Sequence, residues 1–142
     1  MPIIDASLVV AVALRDDRAP AARTLLRSLL AGGEKLHAPE LLPYEAANGL
    51  TRAMVAGILA PAFLPDAWQA VMELPLHYHS LGTGGETVVA IARRLQRQNA
   101  YDAAYLALAQ HLGTEVWTFD KKLARNAGEL GYPVKLLEAA AA

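Results

Sequence analysis

Four carboxylates in this chain of 142 residues stand where an α/β protein can do chemistry. Each falls at the predicted C-terminal end of a strand or in the predicted first turn of a helix: Asp5, Glu45, Asp102 and Asp120. In a parallel sheet these ends lie along one edge, so we expect the four side chains to converge there. Clustered carboxylates repel one another unless they are protonated or neutralised, and Mg²⁺ and Mn²⁺ prefer oxygen ligands. The pattern therefore predicts a divalent-metal site that activates water and stabilises charge on a phosphoryl oxygen.

Each acid also has a structural explanation when it is taken alone. Asp102 and Asp120 could simply cap helices, because acids are favoured in a first helical turn. Glu45 could be a solvated glutamate on a helix face. Asp5 is the strongest single case, because an acid at the end of a strand, on the ligand-binding edge, has less structural use. The coincidence of all four favours the functional interpretation.

The elements that must position these acids alternate along the chain. Apolar runs bounded by glycine and proline predict five strands: Ile3–Ile4, Lys35–Ala38, Leu76–Leu81, Glu115–Phe119 and Pro133–Leu137. The segments between them predict seven helices: Ser7–Leu14, Pro20–Leu30, Leu41–Ala56, Ala60–Leu74, Glu86–Gln98, Ala100–His111 and Lys121–Leu130. Ser7 and Asn99 are the expected N-caps of two of them. The alternation predicts one α/β domain over 1–142, with helices on both faces of a parallel sheet and a frayed tail at Glu138–Ala142.

Composition narrows the class of protein. Hydrophobic residues make up 54% of the chain, which is enough for a core, and the absence of cysteine excludes disulfides and thiolate metal sites. The net charge of −1 weakens the case for binding nucleic acid by bulk charge, although metal-bound acids would leave the remaining surface positive. The sequence shows neither a signal peptide nor an apolar run approaching the roughly 20 residues of a membrane span. We therefore expect a cytoplasmic protein without a membrane partner.

The ordered set of acidic motifs resembles the PIN-domain family. Asp5 follows Ile3-Ile4, Glu45 lies in YEAANGL, Asp102 in YDAAYLALA and Asp120 in TFDKKL. Each motif is short, but their order and spacing run through essentially the whole chain. Within the family, the chain looks most like the VapC-type ribonuclease toxins of bacterial toxin–antitoxin pairs.

The resemblance implies a three-layer α/β/α sandwich around a parallel sheet and a Mg²⁺- or Mn²⁺-dependent endoribonuclease. Asp5, Glu45, Asp102 and Asp120 would form the catalytic acidic quartet. Asp5 and Asp102 would bind the metal directly, Asp120 directly or through water, and Glu45 would hold or activate the attacking water. The family also implies a homodimer, an RNA substrate, and a cognate antitoxin that occupies the site and its groove.

Other polar residues are expected around this site. Three of them match polar positions that support it in the family: Ser7, Asn48 and Thr118. Basic residues near the predicted edge are candidates for holding the RNA backbone: Arg15, Arg18, Lys121, Lys122 and Arg125. For any one of these basic residues, a solvated helix face is the simpler interpretation.

Three rival functions fit the sequence less well. A phosphatase of the haloacid dehalogenase type needs a second aspartate two residues after Asp5, where Ser7 stands. A phospho-acceptor receiver domain needs an acidic pair near the first strand, and Asp16-Asp17 lie too far past it. A PIN fold kept only for binding RNA or protein would be expected to have lost acids. A PIN nuclease outside any toxin–antitoxin pair remains an open alternative.

Some further motifs have simpler explanations. His77 and His79 face the same side of a strand and could bind zinc, but the sequence offers no third ligand at a suitable spacing, so an edge or interface strand is favoured. The loop Gly82–Gly85 lacks G-K-[ST] and is expected to be a flexible turn. Tyr101 and Tyr105 flank Asp102, and nothing in the sequence supports their stacking on an RNA base. Four bulky residues form either an exposed patch or, as is more frequent, ordinary core: Phe63, Trp68, Met72 and Tyr78.

Overall fold

Five parallel strands form one sheet in the computed structural model, which describes residues 1–97 and 99–139. The strands are β1 (Ile3–Ile4), β2 (Leu36–Pro39), β3 (Leu76–His79), β4 (Val116–Thr118) and β5 (Val134–Leu136). The α-helices are α1 (Ala6–Leu14), α2 (Ala19–Ala31), α3 (Leu42–Val55), α4 (Leu64–Glu73), α5 (Gly85–Arg94), α6 (Tyr101–Leu112) and α7 (Lys121–Glu129). Helices α1, α3 and α4 pack together on one face, and α5 and α6 on the other. The predicted three-layer α/β/α sandwich around a parallel sheet is confirmed.

The shortest strand holds the centre of the sheet. The strand order is β3-β2-β1-β4-β5, so β1 pairs with β2 on one side and with β4 on the other. Ile3 and Ile4 are fully buried, which explains why an apolar pair of residues suffices as a strand here. The chain runs outward from β1 through β2 to β3 and then crosses back to β4. Such a reversal of strand order opens a crevice at the carboxyl ends of β1 and β4.

The boundaries of several elements differ from the predicted ones. Helix α1 begins at Ala6 and has Asp5 at its N-cap, and Ala100 occupies the N-cap of α6, so the N-cap assignments of Ser7 and Asn99 were wrong. The Ser7 hydroxyl instead bonds to Asp5 and Phe119. Asn99 lies one residue before the N-cap, and its Oδ1 accepts from the backbone N–H of Tyr101, the first residue of α6, at 3.3 Å.

Two predicted helices are shorter than expected. Helix α4 starts at Leu64, because a separate 3₁₀ turn (Pro61–Phe63) precedes it. Helix α5 ends at Arg94, and Gln96 with φ 57° adopts a left-handed conformation that a helix cannot continue through. The predicted end of this helix at Gln98, and residues 140–142 of the predicted frayed tail, lie outside the described residues.

The bulky apolar residues divide between core and surface. Phe63 and Met72 are 62% and 60% exposed and Tyr78 is 39% exposed, so the core interpretation was wrong for these three. Trp68 is half-buried and packs against the core. Helix α4 and the 3₁₀ turn before it therefore present aromatic and thioether side chains to solvent.

A close approach between α1 and α3 provides a test of the packing. A Cβ added at Gly49 would lie 2.8 Å from Cγ2 of Val10, and a β-branched side chain in a helix has little rotamer freedom with which to move away. We expect Gly49→Ala to lower the free energy of unfolding by about 1–3 kcal/mol, as overpacking does. In a Val10→Ala background the same change should be neutral or stabilising by up to about 1 kcal/mol, because alanine favours a helix. Urea denaturation of the four proteins measures both values, and equal effects in the two backgrounds would contradict the close packing.

Candidate active site

Asp5 is the centre of the predicted site, and the structure buries it. Its side chain is 9% exposed, directly after β1. Its Oδ2 accepts hydrogen bonds from Ser7 Oγ at 2.8 Å and from Thr118 Oγ1 at 2.6 Å. Burial raises the pKa of Asp5, while the hydroxyls of Thr118 and Ser7 partly counteract that rise. A carboxylate is therefore held in the crevice between β1 and β4, in a setting that favours neutralisation of its charge.

The same two hydroxyls tie the end of β4 to the end of β1. Thr118 Oγ1 accepts from the backbone N–H of Asp120 at 3.0 Å, and Ser7 Oγ accepts from that of Phe119 at 3.0 Å. Each hydroxyl can donate to Asp5 and also accept from a backbone N–H, because it carries one O–H donor and two acceptor lone pairs. Ser7 and Thr118 thus connect Asp5 to the turn that carries Asp120.

Asp120 serves as a helix cap. It is exposed, and its Oδ1 accepts from the backbone N–H of Leu123 at 3.0 Å at the start of α7. The alternative that Asp120 caps a helix, which the sequence also allowed, is therefore correct. It does not remove Asp120 from the acidic group, because its charge raises the pKa of both Asp5 and Asp102.

Glu45 and Asp102 reach the same edge from the first turns of α3 and α6. Both are half-buried, and burial is the main cause that raises the pKa of each carboxyl. The charge of Asp5 raises both pKa values further, and Asp102 also raises that of Glu45. The four predicted acids are thus close enough for their charges to act on one another, and neither Glu45 nor Asp102 caps its helix.

Two residues at this site were missed as members of it by sequence reasoning. Tyr105 is 1% exposed, so it cannot stack on RNA, and its hydroxyl lies beside the Glu45 carboxyl and lowers the pKa of that group. Arg97 approaches Asp102 with an N–O distance of 3.9 Å. Tyr105 could have been found from the sequence, because it lies three residues after Asp102 and so near the same face of a helix. Nothing in the sequence indicates where Arg97 lies.

The donor set suits a hard cation. In the described part of the chain, no three histidine, cysteine, aspartate or glutamate side chains already form a metal-binding group. All four acids nevertheless offer carboxylate oxygens, which Mg²⁺ and Mn²⁺ prefer. Within residues 1–97 and 99–139, buried Glu45 Oε1 also has no hydrogen-bond partner of good geometry. These residues fit a divalent cation or the water bound to one.

The remaining predicted site residues lie outside the hydrogen-bonded group around Asp5. Asn48 is exposed one turn after Glu45 and has no side-chain hydrogen bond to the described residues. Arg18 pairs with Asp16 at 2.9 Å and lies 5.1 Å over the ring of Phe119. The other basic candidates are exposed, one after α1 and three on α7: Arg15, Lys121, Lys122 and Arg125.

The structure supplies a third imidazole beside the two that the sequence paired. His37 of β2 faces His77 and His79 of β3, with Nδ1 of His37 2.7 Å from Nε2 of His79. Sequence spacing did not indicate this neighbour, because β2 and β3 pair in a register that places His37 opposite His77. Burial lowers the pKa of His37, and the neighbouring histidines lower it further, which favours the neutral imidazole at His37.

Comparison with known proteins agrees with this architecture. A family model described as the PIN domain matches residues 3–129. Ribonuclease VapC9 of Mycobacterium tuberculosis is 31% identical over 137 residues, covering 96% of this chain and 98% of the relative. Ribonuclease VapC3 of Pyrobaculum aerophilum is 27% identical over 128 residues, covering 87% and 92%.

A solved structure carries the same fold. The crystal structure of PAE2754 from Pyrobaculum aerophilum superposes with a TM-score of 0.65 and 23% identity, over 88% of this chain and 78% of that one. The chain belongs to the PIN-domain family, in its VapC group. No helix in the described residues is both long and apolar enough to span a membrane.

The raised pKa values predict how stability depends on pH without divalent cations. The pKa values of Asp5, Glu45 and Asp102 lie above the ordinary 3.8, 4.5 and 3.8. Between the ordinary and the raised pKa values, the folded state holds more protons than the unfolded state. The free energy of unfolding therefore falls as pH rises through the raised pKa values. Asp5→Asn should make this fall shallower, because it removes one of the contributing groups.

Urea denaturation in EDTA from pH 4 to pH 8 measures this dependence. Asp66→Asn, an exposed acid on α4, is the matched control and should keep the wild-type slope. A wild-type slope for Asp5→Asn would show that burial of this carboxylate does not limit stability.

Proposed function

We propose that this protein is a metal-dependent endoribonuclease and the toxin of a toxin–antitoxin pair. Membership of the PIN-domain family and relatives named as VapC ribonucleases support the class of activity. The observation that carries the proposal is the buried Asp5 carboxylate, clamped between β1 and β4 and coupled by charge to three other acids. We place it in the cytoplasm, where its RNA substrate lies.

The four acids have different proposed roles. Asp5, Asp102 and Asp120 would hold Mg²⁺ or Mn²⁺, which when bound lowers the pKa of water and offsets charge on a phosphoryl oxygen. Glu45 is suited to act as a base, because burial raises its pKa and its Oε1 has no good hydrogen-bond partner among the described residues. It would accept a proton from the water that attacks the phosphodiester. Tyr105 and Arg97 would orient Glu45 and Asp102.

Contacts with RNA and protein complete the proposal. The exposed cations of α7 and Arg15 would contact phosphates beside the site, which positions the strand without reading its sequence. The exposed side chains Phe63 and Met72 offer apolar area for a homodimer or for the cognate antitoxin. A PIN nuclease that works without an antitoxin has the same site.

The first test is the chemistry. Wild-type protein should cleave single-stranded RNA with Mg²⁺ or Mn²⁺, EDTA should stop cleavage, and added metal should restore it. Asp5→Asn and Asp102→Asn should lower the rate by more than about 100-fold, because they remove charges that hold the metal. Asp66→Asn should cleave as wild type does. Folded Asp5→Asn and Asp102→Asn proteins that cut at the wild-type rate would refute the proposed site.

A second variant tests the support of Asp5. Thr118→Val keeps the shape of a buried residue but removes the hydroxyl that joins Asp5 to Asp120 N–H. We expect cleavage to slow by about 10–100-fold, the usual cost of losing an outer partner of a metal ligand. The concentration of Mg²⁺ required for half-maximal rate should rise. An unchanged rate and metal requirement would mean that Thr118 has a structural role alone.

The toxin role has its own test. Induced expression of wild-type protein should arrest bacterial growth, and Asp5→Asn should not. A gene for a small DNA-binding antitoxin next to this one, whose product binds the toxin and relieves the arrest, would support the pairing. Robust cleavage of RNA without growth arrest would favour a nuclease outside toxin–antitoxin pairs.

A further inference from the structure

A cavity of about 690 Å³ opens at the carboxyl ends of β2 and β3. Pro39 and His79 line it from these strands, the loop Ser80–Gly84 borders it, and α5 and α6 supply further lining residues. Of the Gly82–Gly85 segment, residues 82–84 thus form a turn at the rim of a cavity, and Gly85 begins α5. A volume between about 300 and 1,000 Å³ is typical of sites that enclose a small organic ligand or part of a larger one.

The cavity adjoins the acids. Tyr101 lines it from the first turn of α6, and Asp102 is the next residue of that turn. Leu41 lines it at the start of α3, whose first turn carries Glu45. An RNA strand whose phosphodiester reaches the acids would therefore bring a neighbouring nucleotide over this opening.

The lining selects against phosphate. Among the described lining residues there is no lysine or arginine, and Glu40 adds a carboxylate. A phosphate group would thus meet neither a lysine nor an arginine, and it would lie beside a negative charge. The part of a nucleotide that fits is the uncharged base.

The same lining provides what a base needs. Tyr101 is 54% exposed and offers a ring for stacking, and Val88 and Leu108 provide apolar contact. Polar groups around the cavity can hydrogen-bond the edges of a base: His79, Ser80, Thr83, Thr87 and His111. Aromatic stacking combined with edge contacts is how proteins bind unpaired bases of single-stranded RNA.

We propose that this cavity binds one unpaired nucleobase of the RNA next to the cleaved phosphodiester, and so sets base preference at that position. The proposal rests on the proposed ribonuclease function. Tyr101 is the stacking residue, and the polar residues of the rim select the base.

Binding to an inactive enzyme tests this site apart from catalysis. The full chain carrying Asp5→Asn is titrated with labelled hexanucleotides of uridylate, adenylate, cytidylate or guanylate, and with an abasic ribose-phosphate hexamer. We expect at least one sequence to bind more tightly than the abasic probe. Adding Tyr101→Ala should weaken that binding by about five- to 150-fold, the range for loss of one stacked base, and leave the abasic probe unaffected. Tyr101→Phe should bind as the parent does, because it keeps the ring.

Two further variants separate the cavity from general effects. Ala104→Trp adds bulk to the lining and should abolish the preference over the abasic probe, with thermal melting as the check of folding. Val55→Ala trims an exposed apolar side chain outside the cavity and should leave every affinity unchanged.

Three outcomes overturn the base site. The first is equal binding of all hexanucleotides and the abasic probe, or no binding of any of them. The second is an unchanged affinity and preference in Tyr101→Ala; if wild type then still cleaves RNA with metal, the nuclease proposal stands while the base site falls. The third is loss of antitoxin binding in Ala104→Trp with RNA affinity intact, which assigns the cavity to a protein partner. Absence of cleavage by wild type refutes the nuclease instead.

Discussion

The buried carboxylate of Asp5 is the constraint around which the rest of this structure is arranged. An isolated charge is costly away from water, and here burial raises the pKa of the group while Asp120 adds repulsion. Two hydroxyls offset part of that cost by donating to Oδ2 at 2.8 and 2.6 Å. The other three acids add negative charge near Asp5 and so increase that cost. The proposed cation would offset that cost by neutralising the clustered carboxylates.

The sheet explains how so few residues hold that carboxylate. Strand β1 consists of Ile3 and Ile4, yet it pairs with β2 and β4 and is buried on both faces. Its position at the reversal of strand order delivers Asp5 to the crevice where α/β proteins bind ligands. The helices that follow β2 and precede β4 then bring Glu45 and Asp102 to the same edge with their first turns.

The order of elements and the convergence of the acids were predictable because both depend on local signals. Apolar runs and breakers mark the strands, and an acid just after a strand or at the start of a helix is visible in one dimension. The contacts that complete the site depend on which strands pair. The bond from Thr118 to Asp5 spans 113 positions, and His37 meets His79 across 42. Ser7 shows the limit of local reasoning, since its position suits an N-cap but its hydroxyl turns toward Asp5 and Phe119. Gln96 likewise ends α5 through a backbone conformation that its residue type does not announce.

The long reach of the bond between Asp5 and Thr118 has a consequence for synthesis. A ribosome makes Asp5 113 positions before Thr118, so the central strand lacks its β4 neighbour, and Asp5 its Thr118 partner, until that later segment has emerged. Asp102 and Asp120 also arrive late. A chain released early therefore carries no acidic site, whichever of its earlier helices have folded. For the proposed ribonuclease, translation must pass Asp120 before the enzyme can act on any RNA around it.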